Sequence, residues 1–264
     1  MKDINEVLTH GYEFRMGKYF SNGWNFYKEG LGNYLGFTII FLVITIVIAL
    51  IPFVNLLNSI IQYALVAGLY IYTRNMLNNK GDFPQFFQGF NSFGQIFLFA
   101  LVLFAFALPA VIVFVIYLIP EGLINDLIMG DVDPQYIAED ILYMFEENMG
   151  MIGLMYMLLL AYFAYLYISY SFTLILIVDR NMNFWDAMET SRKVVAKNFF
   201  SFLGMYILMF IMITFGVLFT CGLGIFIAIP FSYLVVFSAY NDIIGPEKDQ
   251  IEESIEEFGS SETE

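Results

Sequence analysis

Long uncharged stretches alternate along this chain with short polar segments. Six stretches stand out: about 32–51, ending at Pro52; about 55–73, ending at Arg74; about 93–119, ending at Pro120; about 151–178, ending at Asp179-Arg180; about 199–218; and about 224–243. None holds Lys, Arg, Asp or Glu before its last turn, and each approaches or exceeds the ~20 residues needed to cross bilayer hydrocarbon. In lipid the backbone amides must be satisfied within the segment, so the pattern predicts six transmembrane helices. The third and fourth are long, which implies tilt or a bend, and Pro109 supplies a cause in the third. The breaker Thr220-Cys221-Gly222-Leu223-Gly224 separates the last two.

A second period precedes each pair of spans. Met16, Phe20, Trp24, Tyr27 and Leu31 recur at helical spacing before the first span. Phe83, Phe86, Phe87, Phe90, Phe93 and Phe97 do so before the third. Before the fifth, Phe184, Met188, Ser191, Val195 and Phe199 form a stripe opposed by Asp186, Glu189, Arg192, Lys193 and Lys197. Asn183 is placed to cap that helix, with Asp186 in its first turn. Such helices are expected in the headgroup zone, aromatics down and charges up, anchored by Trp24, Phe87, Trp185, Arg192 and Lys193. The fold class expected is therefore an all-α membrane protein of three units, each a cytoplasmic amphipathic helix followed by a transmembrane hairpin.

Composition agrees with that class. Apolar residues make up 59 % of the 264, aromatics 19 % and charged residues only 14 %, against about a quarter charged in soluble domains. The formal charge is −14, from 25 acidic and 11 basic residues, and its placement matters more than its size. Lys2, Arg15, Lys18 and Lys28 precede the first span; Arg74 and Lys80 lie between the second and third; Arg180, Arg192, Lys193 and Lys197 lie between the fourth and fifth; Lys248 follows the sixth. All eleven fall on one side, which the positive-inside rule assigns to the cytoplasm, with both termini. The N-terminal stretch EVLTHGYEFRMGKYFS lacks the pattern of a cleaved signal, so the first span is expected to be retained. The chain reads as one polytopic membrane domain over 1–246 and an acidic cytoplasmic tail over 247–264, in a bacterial cytoplasmic (inner) membrane.

Sixteen of the 25 acids lie in two blocks, eight in 121–147 and eight in 247–264. In the outer loop, 120–150, Asp133-Pro134 reads as a helix start, with Ile137, Ile141 and Phe145 lining one face. Asp131-Val132-Asp133 resembles the opening of a calcium loop without its glycine, so a solvated acidic face is the reading there. The loop and the tail are places for a protein partner; membrane lipids are the other partner, and nucleic acid is disfavoured for want of a basic patch. Small-residue faces at Gly150, Gly153 and Gly204 leave self-association as a homo-oligomer open.

Catalytic chemistry has little to build on. One histidine, His10, and one cysteine, Cys221, supply neither a ligand cluster nor a disulfide. A nucleophile elbow and a phosphate-binding glycine loop are missing from the sequence, and no carboxylate lies within a span. The expectation is no enzyme, no cofactor and no metal. The deepest polar groups include Gln62, Ser169 and Thr173, with Tyr162 and Tyr165 on the same face of the fourth span as Ser169. Pro109 and Pro230 free backbone carbonyls in mid-span. Together these residues either bond between helices or line a cavity for a weakly polar solute.

The third unit carries a resemblance. Val178-Asp179-Arg180 at the exit of span four, Trp185-Asp186-Ala187-Met188-Glu189 followed by Ser191, then Asn198, Gly222 and Gly224, Pro230 and Ala239-Tyr240 stand in that order. Over about 175–245 the chain resembles a group of bacterial six-helix inner-membrane proteins, similar to the membrane-anchor domain fused to some glycerophosphodiester phosphodiesterases. The resemblance implies the fold and no activity, because no phosphodiesterase domain is present. The role expected is a non-enzymatic membrane scaffold or accessory subunit acting through interfacial helices and the acidic tail. The alternative is a channel or carrier for a lipid-like or weakly polar solute.

Overall fold

In a computed structural model of the chain, residues 4–50, 55–119 and 134–245 are described. Among them the secondary structure is wholly helical: α1 (Ile4–His10), α2 (Met16–Glu29), α3 (Leu31–Ala49), α4 (Asn55–Leu77), a 3-10 helix (Phe83–Ser92), α5 (Phe93–Tyr117), α6 (Pro134–Ser169), α7 (Thr173–Asp179), α8 (Phe184–Ala196), α9 (Phe199–Phe219) and α10 (Ile225–Ile243). Five stretches are long and apolar enough to cross a membrane: Leu31–Ala49, Phe83–Tyr117, Phe145–Asp179, Phe199–Phe219 and Ile225–Ile243. The expected outer loop before Pro134 and the acidic tail lie outside the described residues, as do the side chains of Ile137 and Ile141.

The chain forms two compact regions. One comprises the described residues up to Ala100 and from Ile168 onward; the other is Leu101–Tyr167. In the first region α4 is central, with every residue from Ala64 to Tyr70 buried. Its closest partner is the 3-10 helix, which starts with an Asp82–Gln85 capping box and Pro84 in its first turn. A β-carbon on Gly68 would stand 1.8 Å from the Phe86 carbonyl oxygen, and one on Gly89 would stand 1.9 Å from that of Ala64. Two glycines thus let the backbones touch, the device by which helices associate where water supplies no driving force. Phe86 fills the space beside this contact, stacked on Tyr72 at 4.2 Å and on Phe37 at 4.7 Å.

The elements expected at the membrane surface behave alike in one respect. α2 packs along α10, the 3-10 helix along α4, and α8 along α7. Each buries a face in protein, and this revises the expected arrangement: Tyr27 of the first stripe, Phe86 of the second, and Met188, Ser191 and Val195 of the third are buried among protein side chains, where lipid was expected. Other members of the stripes remain outward, Trp24 and Leu31 of the first and Phe87, Phe90, Phe93 and Phe97 of the second, as does Trp185 beside the third. The physical reason is that a helix next to a bundle can bury its apolar stripe against other helices, and close side-chain packing there competes with lipid.

The fourth span also differs from an unbroken helix over 151–178. α6 ends at Ser169 and α7 begins at Thr173, with a turn between. Ser191 of α8 holds the break: its hydroxyl donates to the Ser169 carbonyl at 2.8 Å and accepts from the Phe172 amide at 3.1 Å. Two backbone groups that the helix leaves unpaired are satisfied by one side chain. α6 carries a second irregularity at Asn148 (φ −109°, ψ 16°). The turn after α9 follows the expected breaker: Cys221 and Gly222 take positive φ of 50° and 95°, and the Thr220 hydroxyl accepts from the Gly224 amide at 2.6 Å.

Candidate functional site: a polar junction at the ends of three helices

The residues grouped as cavity-lining do not act as one group. Tyr162 and Tyr165 lie in the second compact region, as does Pro109; all three are exposed. Tyr162 donates its hydroxyl to the Phe106 carbonyl at 3.0 Å. Gln62, Ser169, Thr173 and Pro230 belong to the first region. Gln62 donates to Asn58 at 3.1 Å and reaches Thr45 at 3.5 Å. Ser169 and Thr173 are buried at the helix break, and Pro230 is buried within α10. The Thr173 hydroxyl has no hydrogen-bond partner among the described residues; Ser191 already holds the Ser169 carbonyl that a threonine four residues on would ordinarily use.

The residues expected to anchor the surface helices fall into two groups. Trp24, Phe87 and Trp185 are exposed by more than a third, with Trp24 stacked on Tyr27 at 5.7 Å. Arg192 donates to both carboxylate oxygens of Glu189 at 2.8 and 2.9 Å, and Lys193 lies 3.3 Å from the same group. These cations, Arg192 by hydrogen bonding first, hold the Glu189 carboxyl down at about 2. Asn183 caps α8 as expected, its side chain accepting from the Asp186 amide at 2.9 Å.

The most concentrated chemistry lies elsewhere, in charged groups at the helix ends. Arg74, in the last turn of α4, donates to both oxygens of Asp179 at the end of α7, at 2.8 and 3.1 Å. Its third arm donates to Asn241 of α10 at 2.7 Å. Tyr240 donates to the same Asp179 at 2.7 Å, and the guanidinium sits 5.0 Å over the Phe237 ring. The Arg74 and Asp179 side chains are only 16 % and 9 % exposed. One arginine therefore joins the ends of helices derived from the second, fourth and sixth apolar stretches. Alongside, Arg180 donates to the Ile244 carbonyl, and Asp242 accepts from Lys18 of α2 with Arg15 at 3.8 Å.

Around α2 and α1 this junction is extended by tyrosines. Tyr12 donates to the Val194 carbonyl at 2.9 Å, while its own carbonyl accepts from Asn198 at 3.1 Å. Burial raises the Tyr12 hydroxyl above its ordinary value, and burial likewise pushes Tyr19 up to about 12, with Asp242 adding to the rise. A sequence signal for the junction was present: Arg-Asn-Met occurs at 74–76 and again at 180–182. The first copy lies in the last turn of α4 and the second just past the end of α7.

Apolar helices of membrane-crossing length joined by such a junction define a multi-pass, all-helical membrane protein. Comparison with protein families, curated proteins and solved structures finds nothing that matches this chain. Among the described residues no group of three His, Cys, Asp or Glu side chains comes together as a metal site would require.

Proposed function

We propose that the chain is a non-enzymatic scaffold or accessory subunit of the bacterial inner membrane, with six spans and both termini cytoplasmic. In this reading α4 is the sixth span: its 23 residues suffice to cross the hydrocarbon. All eleven basic residues then lie on the cytoplasmic side. The three surface elements, α2, the 3-10 helix and α8, each belong to one unit of a triplicated helix-plus-hairpin design. The resemblance over about 175–245 to six-helix inner-membrane proteins and to the anchor domain of some phosphodiesterases weighs the same way.

One observation carries the scaffold role. Each surface element buries part of its apolar stripe inside the protein and still holds an aromatic outward, Trp24, Phe87 and Trp185. Aromatics left over after packing are the residues with which interfaces are built. A photoreactive amino acid at Trp185 or Phe87, activated in living cells, should give discrete protein adducts that survive purification in mild detergent. Adducts to lipid alone, together with pull-downs that recover no protein, would remove the scaffold and leave a lipid anchor.

The carrier reading has one observation on its side, the buried and unpartnered hydroxyl of Thr173. Thr173→Val should abolish flux of a weakly polar solute in folded protein; unchanged flux removes it.

A further inference from the structure

We infer that the Arg74–Asp179–Asn241 junction is a clasp that closes the cytoplasmic end of the first compact region over the buried hydroxyl of Ser238. The inference uses the orientation proposed above only to say which face the clasp closes.

The three partners sit on three separate helices, α4, α7 and α10, so parting the helix ends requires breaking these contacts and the ring packing of Tyr70 on Phe237 and Phe172 on Tyr240, but no covalent or helical hydrogen bond. Ser238 precedes Asn241 by three residues on α10, which places the two on one face of the helix, one turn apart. Arg74 binds Asn241 on that face, one helical turn beyond Ser238, and Asp242, four residues on from Ser238, is held by Lys18. The Ser238 side chain is buried, 1 % exposed, and its hydroxyl has no partner among the described residues. A helical serine ordinarily donates to the carbonyl four residues back; here it does not. Buried polar groups without partners are rare, and each one favours any arrangement that admits water.

These facts give two arrangements with opposed advantages. Closed, Arg74 has a bidentate carboxylate, an amide oxygen and the face of Phe237, while Tyr240 steadies Asp179. Open, the two charges regain water and Ser238 gains its first partner. Both charged side chains already touch solvent at their edges, so water competes for them without the bundle coming apart. Gly68 and Gly89, where backbones meet, lie on the contact between α4 and the 3-10 helix.

The test is thiol accessibility in membrane vesicles of known sidedness. Cys221 is exposed and is first replaced, Cys221→Ser. Ser238→Cys then places a near-isosteric thiol behind the clasp, and Met205→Cys, at a buried position on α9, reports general loosening. With the clasp intact, Ser238→Cys should resist a membrane-impermeant maleimide. Asp179→Asn or Arg74→Gln should speed its labelling about tenfold or more, equal to about 1.4 kcal/mol in the closed–open balance, while Met205→Cys stays protected. The swap Arg74→Asp with Asp179→Arg should slow labelling again. Asn241→Ala, which removes one arm only, should give an intermediate rate. Rapid labelling with the clasp intact, unchanged labelling in folded clasp variants, or labelling of Met205→Cys in parallel would each overturn the clasp. Labelling that appears only from the opposite face of the membrane would overturn the proposed orientation and leave the clasp standing.

Discussion

The two compact regions are similarly apolar in sequence and differ sharply in what their side chains do. In the first, α10 has 44 % of its most apolar stretch buried and α9 17 %; Phe145–Asp179, which lies largely in the second region, has 11 %. The first is held by directional contacts: touching glycines, stacked rings around Phe86, the Ser191 brace and the Arg74 junction. The second, Leu101–Tyr167, shows Leu101, Phe104, Val113, Ile116, Met157 and Leu158 outward. Its internal contacts include the Tyr162 hydroxyl on Phe106 and the rings of Phe114 and Tyr156 at 6.4 Å. Hydropathy alone therefore does not say how tightly a helix is held. Specific packing comes from small residues and polar groups, while uniformly apolar surface is accommodated by lipid wherever it faces.

The largest way to break the contrast is to overfill the tight region. Gly68→Leu places atoms where the Phe86 carbonyl stands, and should cost about 3 kcal/mol or more, seen as loss of folded protein in a thermal-unfolding assay in detergent. Gly150→Leu is the matched change in the second region, with nothing within 4 Å of the added carbon, and should leave unfolding unchanged. A drop at position 150 as large as that at 68 would mean the second region is packed as tightly as the first.

Next in size is a charge on the outward apolar surface. Phe210 on α9 is 70 % exposed; Phe210→Arg should cost about 2.5–3.5 kcal/mol of insertion if lipid bathes it, measured as protein recovered in the membrane fraction. Full recovery would place that surface in water.

Removing the brace comes third. Ser191→Ala leaves the Ser169 carbonyl and the Phe172 amide buried without their partner, at about 1–3 kcal/mol. The loss should appear as a lower unfolding midpoint, and Ser191→Thr should recover part of it by keeping the hydroxyl.

The smallest effects are those of pH at the periphery. Tyr19 is raised to about 12 by burial, so its neutral form is favoured in the folded state. Its contribution is full below pH ~10 and is lost as pH climbs through 12; Tyr19→Phe should flatten the alkaline fall in midpoint. Glu189 is held at about 2, so its contribution is present above pH ~4.5 and fades as pH falls toward 2. Because that carboxylate is more than a third exposed, Glu189→Gln should change acid stability only slightly, and a large change would contradict the surface character of the pair.

Helix positions were legible in the chain because apolar length and caps are local properties. α3, α9 and α10 match their expected stretches within a few residues, and Asn183 caps α8 as its position implied. The break at Ser169–Thr173 was not legible, since Ser191, which holds it, sits some twenty residues away and looked like one more member of a stripe. Tyr162, Tyr165 and Ser169 were grouped by helical face along one span, which is divided between the two compact regions. Arg74 and Asp179 were visible as charges at helix ends, but their meeting depends on which ends converge.

From the order of its residues alone, this protein was bound to be helical and to carry apolar stretches of membrane-crossing length. Both follow from hydrogen bonding within each segment and from the cost of charge in hydrocarbon. Only the folded chain decided which face of each surface helix is covered, where the fourth apolar stretch breaks, and that one guanidinium serves three helices. Those outcomes rest on distances between residues far apart in sequence, such as 74, 179 and 241, and no local period encodes them.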